Sequence, residues 1–139
     1  MMQTVKDIMT TNVEYCTPLD NVYEVAVKMK ELNVGAIPIV DNQKLIGLIT
    51  DRDLVLRGIA EKHPGSNQVT NVMTDQLITI ESNSSPHEAA DLMAKHQIRR
   101  IPVVDNGKLV GMISLGDLST HTITGNAAGE ALSNISETH

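Results

Sequence analysis

Two short stretches carry residue types that could hold a small anionic molecule: Gly47-Leu48-Ile49-Thr50-Asp51-Arg52-Asp53 and, 64 residues on, Gly111-Met112-Ile113-Ser114-Leu115-Gly116-Asp117. Each reads as a strand end that opens a helix. In the simplest reading Thr50 and Ser114 are helix N-caps, and Asp53 and Asp117, three residues later, complete capping boxes. The same geometry suits a ligand. Free N–H groups at a helix start favour phosphate, a hydroxyl adds a donor, and a carboxylate one turn on can accept from paired ribose hydroxyls. The glycine lets the strand backbone lie close to a ligand or a neighbouring element. Capping and ligation are compatible, and both stay open on residue types alone.

The stretches belong to a longer duplication. Residues 5–54 align with 69–118 without a gap: Met9-Thr10 returns as Met73-Thr74, and Ile37-Pro38-Ile39-Val40-Asp41-Asn42 as Ile101-Pro102-Val103-Val104-Asp105-Asn106. Two copies are too few for an open solenoid, so a closed pseudo-twofold pair with two related clefts is expected. The division is repeat 1 at 1–60, a linker at 61–68 containing Pro64, Gly65, Ser66 and Asn67, repeat 2 at 69–120, and a small, polar tail at 121–139.

The elements that must position the motifs follow from pattern. Each repeat reads as helical turn, strand, helix, strand, strand, helix. Residues 4–9 suggest the first turn and 13–16 a short strand. Val22, Val25, Ala26, Met29 and Leu32 lie on one helical face. Asn21 with Glu24 has capping-box spacing; Ser85, Pro86 and Glu88 form a stronger start, followed by apolar Ala89, Ala90 and Met93. Residues 36–40 and 45–49 form apolar runs, as expected for strands covered on both faces. Asn106-Gly107 marks a tight hairpin, whereas Gln43 at the matching place tolerates positive φ less well and suggests another turn. A last helix from Asp51 carries Leu54, Leu56 and Ile59.

Bulk properties narrow the function. The 139 residues fit one compact domain, 41% hydrophobic and 20% charged. A net charge of −6 argues against non-specific nucleic-acid binding. No apolar run approaches a membrane span, and the first residues lack the apolar core of a signal peptide. The single cysteine, Cys16, fits a reducing cytoplasm and reads as a small buried residue without a redox role. Tyr15 and Tyr23 are the only aromatics, so aliphatic side chains would have to sandwich any bound base. His63, His87, His96, His121 and His139 show no ligand spacing, so no metal site is expected, and no residue set supplies nucleophile, base and oxyanion donors together.

The Met-Thr pairs, the Ile-Pro-Ile/Val-Val-Asp strands and the Gly-x-Ile-Thr/Ser-x-x-Asp endings together resemble a tandem pair of CBS domains, a Bateman module, over residues 4–119. Val34-Gly35-Ala36-Ile37-Pro38 with Thr50-Asp51-Arg52-Asp53 is similar to small stand-alone bacterial CBS pairs of the hypoxic-response type. The resemblance implies an α/β (α+β) fold of two pseudo-twofold-related β-α-β-β-α units packed through their sheets, with adenosine-containing ligands in the clefts. By position, Asp53 and Asp117 would hold ribose hydroxyls, Thr50 and Ser114 would contact phosphate or ribose, and the segments at Ile37-Pro38 and Ile101-Pro102 would line the adenine slot. A basic residue before that dipeptide often meets phosphate in the family. Arg99-Arg100 stands there in repeat 2 and Gly35-Ala36 in repeat 1, so the clefts differ. Solvated or interface arginines are the alternative for that pair.

The resemblance therefore implies a non-enzymatic regulatory module. It would bind AMP, ATP, NAD or an S-adenosyl compound as a regulatory ligand rather than a cofactor, and signal to a target protein the sequence does not name. The rivals are a ligand-free structural dimer and, against the charge balance, a nucleic-acid binder. A homodimer is the expected minimal unit, because such pairs assemble by twos and closed twofold pairing is the commonest oligomer. Light scattering at micromolar concentration should give twice the chain mass; a monomer with and without nucleotide would remove the expectation.

Overall fold

The computed structural model describes residues 3–120; the tail expected at 121–139 lies outside them. In chain order the elements are α1 (Val5–Ile8), α2 (Val22–Leu32), β1 (Ala36–Asp41), β2 (Lys44–Thr50) and α3 (Asp51–Asp53), which runs into a π-helical turn at Leu54–Ile59. A 3-10 turn at Val69–Asn71, α4 (Pro86–His96), β3 (Arg100–Asp105), β4 (Lys108–Ser114) and α5 (Leu115–Ser119) follow. They form two compact units. A middle unit spans Glu14–Leu77, and a split unit joins the residues up to Val13 to those from Ile78 on.

The leading turn of each sequence repeat thus lies in the unit of the other repeat. In the split unit Val5 N–H donates to Ser84 O at 2.8 Å and Lys6 N–H to Ser82 O at 2.9 Å, while Thr10 and Met112 exchange backbone hydrogen bonds at 2.9 Å. In the middle unit Leu48 N–H donates to Thr74 O at 2.9 Å and Thr74 N–H to Leu48 O at 2.8 Å. Glycine makes this approach possible. A Cβ on Gly111 would stand 2.5 Å from Met9 Sδ and 2.9 Å from Thr10 O, and one on Gly47 would overlap Met73 Sδ. Of the two roles open to these glycines, close approach of a neighbouring element is the one observed.

Helices α2 and α4 start and stop alike. Asn21 Oδ1 accepts from Glu24 N–H at 2.8 Å and Ser85 Oγ from Glu88 N–H at 3.1 Å, satisfying one orphan donor each. Asn33 and Gln97, both at φ 55°, close them in the left-handed conformation. Helix α4 buries Ala89, Ala90 and Met93 as its pattern indicates, but α2 buries only Val25 and Met29; Ala26 and Leu32 are exposed. The expected strand at 13–16 shrinks to one bridge, with Cys16 N–H on Pro38 O at 3.0 Å and Val40 N–H on Cys16 O at 2.8 Å. The turn after it explains this. Pro18 has no N–H to extend a ladder, and Asp20 Oδ2 accepts Thr17 N–H at 2.7 Å, bending the chain away. The split unit repeats the pattern at Ile80, where Ser82 anchors to Asp105 through its N–H at 3.0 Å and its hydroxyl at 2.6 Å. These two bonds hold the Asp105 carboxyl below its ordinary pKa.

The antiparallel hairpins β1–β2 and β3–β4 share one register, with a bulge after Ile39 and after Val103. Strand β1 is buried from Ala36 to Val40 on both faces as its pattern indicates, whereas β2 and β4 bury alternate residues and are covered more on one face. The cores are Cys16, Val25, Met29, Ile37, Ile39, Ile49, Val69 and Val72 in the middle unit, and Val5, Ile8, Ile80, Ala89, Ala90, Met93, Ile101, Val103, Ile113 and Leu118 in the split unit.

Both hairpins use the same turn, contrary to the expectation for Gln43. Asn42 and Gln43 stand at φ 52° and 73°, Asn106 and Gly107 at φ 54° and 80°. The shared register imposes the turn, and Gln43 carries a left-handed penalty of roughly 1–2 kcal/mol that glycine avoids. Gln43→Gly should therefore raise unfolding stability by about 0.5–1 kcal/mol. Urea denaturation should show a higher midpoint at unchanged slope; an unchanged or lower midpoint would show that the turn is unstrained.

Candidate functional site

Each hairpin ends in its Gly-x-Ile-Thr/Ser-x-x-Asp motif, and both capping boxes form. In the middle unit Asp53 N–H donates to Thr50 Oγ1 at 3.1 Å and Thr50 N–H to Asp53 Oδ2 at 3.0 Å. In the split unit Asp117 N–H donates to Ser114 Oγ at 3.0 Å and Ser114 N–H to Asp117 Oδ2 at 2.8 Å. All four residues are half-buried. The extended backbone of Thr50 (φ −111°, ψ 164°) and Ser114 (φ −116°, ψ 163°) turns strand into helix.

The start of the preceding strand is pinned to the same place. Asp51 N–H donates to Gly35 O at 3.0 Å and Leu115 N–H to Arg99 O at 2.8 Å, with Ala36 opposite Thr50 and Arg100 opposite Ser114 in register. Gly35-Ala36 and Arg99-Arg100 therefore sit beside the hydroxyl–carboxylate pair of their own unit. Both arginines are exposed, and neither is in an ion pair among the described residues, whose pairs are Lys28–Glu14 and His87–Asp91. Ile37, Pro38, Ile101 and Pro102 lie one step further along β1 and β3. They are buried; the two isoleucines belong to the cores, and Pro38 O and Pro102 O accept from Cys16 and Ile80 N–H.

The sequence repeat marks Thr74 but assigns it no role. Its hydroxyl lies 3.3 Å from both Asp53 Oδ1 and Asp53 Oδ2. The Met-Thr repeat flagged the residue, but 21 positions separate it from Asp53, a distance no local spacing rule spans. Arg57 was also missed: its Nη1 donates to Met73 O at 3.0 Å. The last helix departs from its pattern too. It widens to π geometry after Asp53, which leaves Leu54 half-buried but exposes Leu56 and Ile59 (47% and 74%). An open hollow of about 430 Å³, lined by Asp51, Arg52, Val55 and Leu56, lies on that helix.

The thiol of Cys16 is pushed up to about 11, first by burial and then by the nearby Asp20 carboxylate, so it is an inert core group at neutral pH. Among the described residues no three His, Cys, Asp or Glu side chains converge as a metal site, and no helix is long and apolar enough to cross a membrane.

The CBS domain profile matches residues 5–58 and again 69–122. The chain is 56% identical over 138 residues to the uncharacterized protein YlbB of Bacillus subtilis, covering 98% of this chain and 93% of that one. It is 33% identical over 122 residues to hypoxic response protein 1 of Mycobacterium tuberculosis, covering 86% and 85%. Among solved structures, Hypoxic Response Protein I with two coordinated zinc ions matches with a TM-score of 0.79 at 33% identity, covering 86% of this chain and 99% of that one. The CBS domain pair of MJ0100 in complex with 5-methylthioadenosine and S-adenosyl-L-methionine matches at 0.78 and 27% identity, covering 91% and 98%. CBSX2 in complex with AMP matches at 0.77 and 28% identity, covering 88% and 98%.

The capping role is measurable by itself at Asp117, whereas Asp53 also faces the Thr74 hydroxyl. Asp53→Ala and Asp117→Ala should each lower unfolding stability by about 0.5–2 kcal/mol, the usual cost of a lost cap, without abolishing the fold. Urea melts of the two variants check this; a loss above about 4 kcal/mol would show that the carboxylate holds more than the cap.

Proposed function

We propose that this chain, which belongs to the CBS-domain family with one CBS domain in each half, is a regulatory module that binds an adenosine-containing ligand and passes its occupancy to a partner protein. The observation that carries the reading is the twice-built hydroxyl–carboxylate pair beside the start of a strand. Asp117 spends one oxygen, Oδ2, on its own cap, and Oδ1 accepts no hydrogen bond among the described residues. A carboxylate with that spare capacity suits the paired hydroxyls of a ribose.

Arg99 and Arg100 add two exposed guanidinium groups beside Ser114, suited to bidentate contact with phosphate. The middle unit offers Gly35-Ala36 in their stead. Phosphate preference is therefore assigned to the split unit. AMP, ATP, NAD and S-adenosyl compounds share the ribose and the base, and they remain the candidate class. AMP in CBSX2 and the two adenosyl compounds in the MJ0100 pair support that class. No catalysis is assigned, and the homodimer and a reducing cytoplasmic setting belong to the same proposal.

A thermal-shift panel of these ligands tests the reading. A ligand at one hundred times its Kd adds about 2.7 kcal/mol, roughly 5–10 °C for a domain of this size. If no adenosyl ligand moves the transition at millimolar concentration, the ligand-free dimer is the better account. Arg100→Ala, and more weakly Arg99→Ala, should reduce AMP affinity about tenfold or more, corresponding to 1.5–3 kcal/mol, and leave adenosine affinity nearly unchanged. Equal losses for AMP and adenosine would remove the phosphate assignment.

A further inference from the structure

The two aspartates are equivalent in sequence but not in what they already hold. Asp117 accepts one hydrogen bond from the described residues, the Ser114 N–H. Asp53 accepts the matching bond from Thr50 N–H and also faces the Thr74 hydroxyl with both oxygens at 3.3 Å. The residue matching Thr74 is Thr10. Its backbone makes the same exchange, with Met112 instead of Leu48, yet its side chain is exposed and makes no hydrogen bond to Asp117 among the described residues. Thr74 is half-buried, and Arg57 holds the carbonyl of the residue before it.

We infer that Thr74 is a built-in stand-in for a ribose hydroxyl, and that it lowers the affinity of the middle unit for an adenosine ligand relative to the split unit. The inference rests on the adenosine reading above and deepens it. A ribose presents two neighbouring hydroxyls, and a carboxylate has about four acceptor positions on its two oxygens for which they compete with groups already held. Asp117 keeps Oδ1 without a hydrogen bond among the described residues. Asp53 already faces the Thr74 hydroxyl with both oxygens, so a ribose hydroxyl arriving there competes with it. The ligand then gains only the difference between its own hydrogen bonds and the one it displaces, so a contact worth a full hydrogen bond in one unit is worth a fraction of it in the other. This inequality is independent of the arginines, because it acts on the sugar and persists for a ligand without phosphate.

Adenosine is accordingly the probe, titrated by calorimetry into variants that isolate each unit. Asp53→Ala leaves the split unit's site and Asp117→Ala the middle unit's. Adenosine should bind the Asp53→Ala protein about three- to tenfold more tightly than the Asp117→Ala protein, the factor a single hydrogen bond commands. Adding Thr74→Val to Asp117→Ala removes the hydroxyl, keeps the branched shape and the backbone pairing, and should recover that factor. Thr74→Ser, which restores a hydroxyl, should return the weaker binding, and Thr10→Val in the Asp53→Ala protein should change affinity less than about twofold. If Thr74→Val melts too early to titrate, Thr74→Ala takes its place, the hydroxyl being absent there too. Equal affinities in the two single variants, or weaker binding after Thr74→Val, would overturn the inference while leaving adenosine binding intact. Absence of adenosyl binding in the parent protein would overturn the inference together with the reading beneath it, a result distinct from either.

Discussion

The backbone of a Met-Thr pair lying across a glycine of a strand is the contact on which the rest depends. Gly47 and Gly111 are buried, and any side chain there would meet the methionine of the pair. Two backbone hydrogen bonds then fix the threonine to the residue after the glycine. Because the pair comes from the leading turn of the other repeat, neither repeat completes its compact unit from its own sequence. The duplicated chain needs both copies to finish either unit, which is a physical reason for the repeat to occur twice. The same contact brings Thr74 to Asp53, so a packing requirement and the candidate site share one set of atoms.

The site follows from a second economy. A strand that ends in an extended Thr or Ser and turns at once into a helix leaves orphan N–H groups, and the hydroxyl with the carboxylate three residues on satisfies two of them reciprocally. That cap holds the carboxylate in one orientation before any ligand arrives, so little side-chain entropy remains to be lost on binding. The backbone bonds from Asp51 to Gly35 and from Leu115 to Arg99 tie the strand start to the helix start in the same way. Under the proposed function, one arrangement would serve both capping, which draws on Oδ2, and ligand recognition.

What was legible in the sequence was what repeats at fixed spacing. The caps at Ser85, Thr50 and Ser114, the apolar strands and the Asn106-Gly107 turn depend on neighbours within a few residues, the duplication on a constant offset along the chain, and the structure has each of them. The misses share a different cause. Gln43 takes the glycine turn because the hairpin register, set by packed strands, overrides its local preference. The strand at 13–16 fails because Pro18 and Asp20 turn the chain after one bridge. Leu56 and Ile59 fit a helical stripe of 3.6 residues, but the π turn rotates them out. Thr74 has no partner within 20 residues, and its contact exists only because a distant glycine lets its backbone in.

Two copies with one register and one cap geometry differ chiefly where side chains meet solvent: Gly35-Ala36 against Arg99-Arg100, and Thr74 on its aspartate against Thr10 off it. Changes at such positions cost the fold little, since they alter neither the glycine contact nor the hairpin register. They act directly on what a ligand would gain. On the proposed reading, Arg99 and Arg100 would add phosphate contacts in the split unit, and Thr74 would preoccupy the sugar acceptor in the middle unit. Both differences would then push affinity in the same direction for a phosphorylated ligand. They would separate for an unphosphorylated one, where only the threonine would still discriminate. A duplicated scaffold of this kind keeps its packing constraints in the strands and glycines, and leaves the caps and strand starts free to diverge in what they bind.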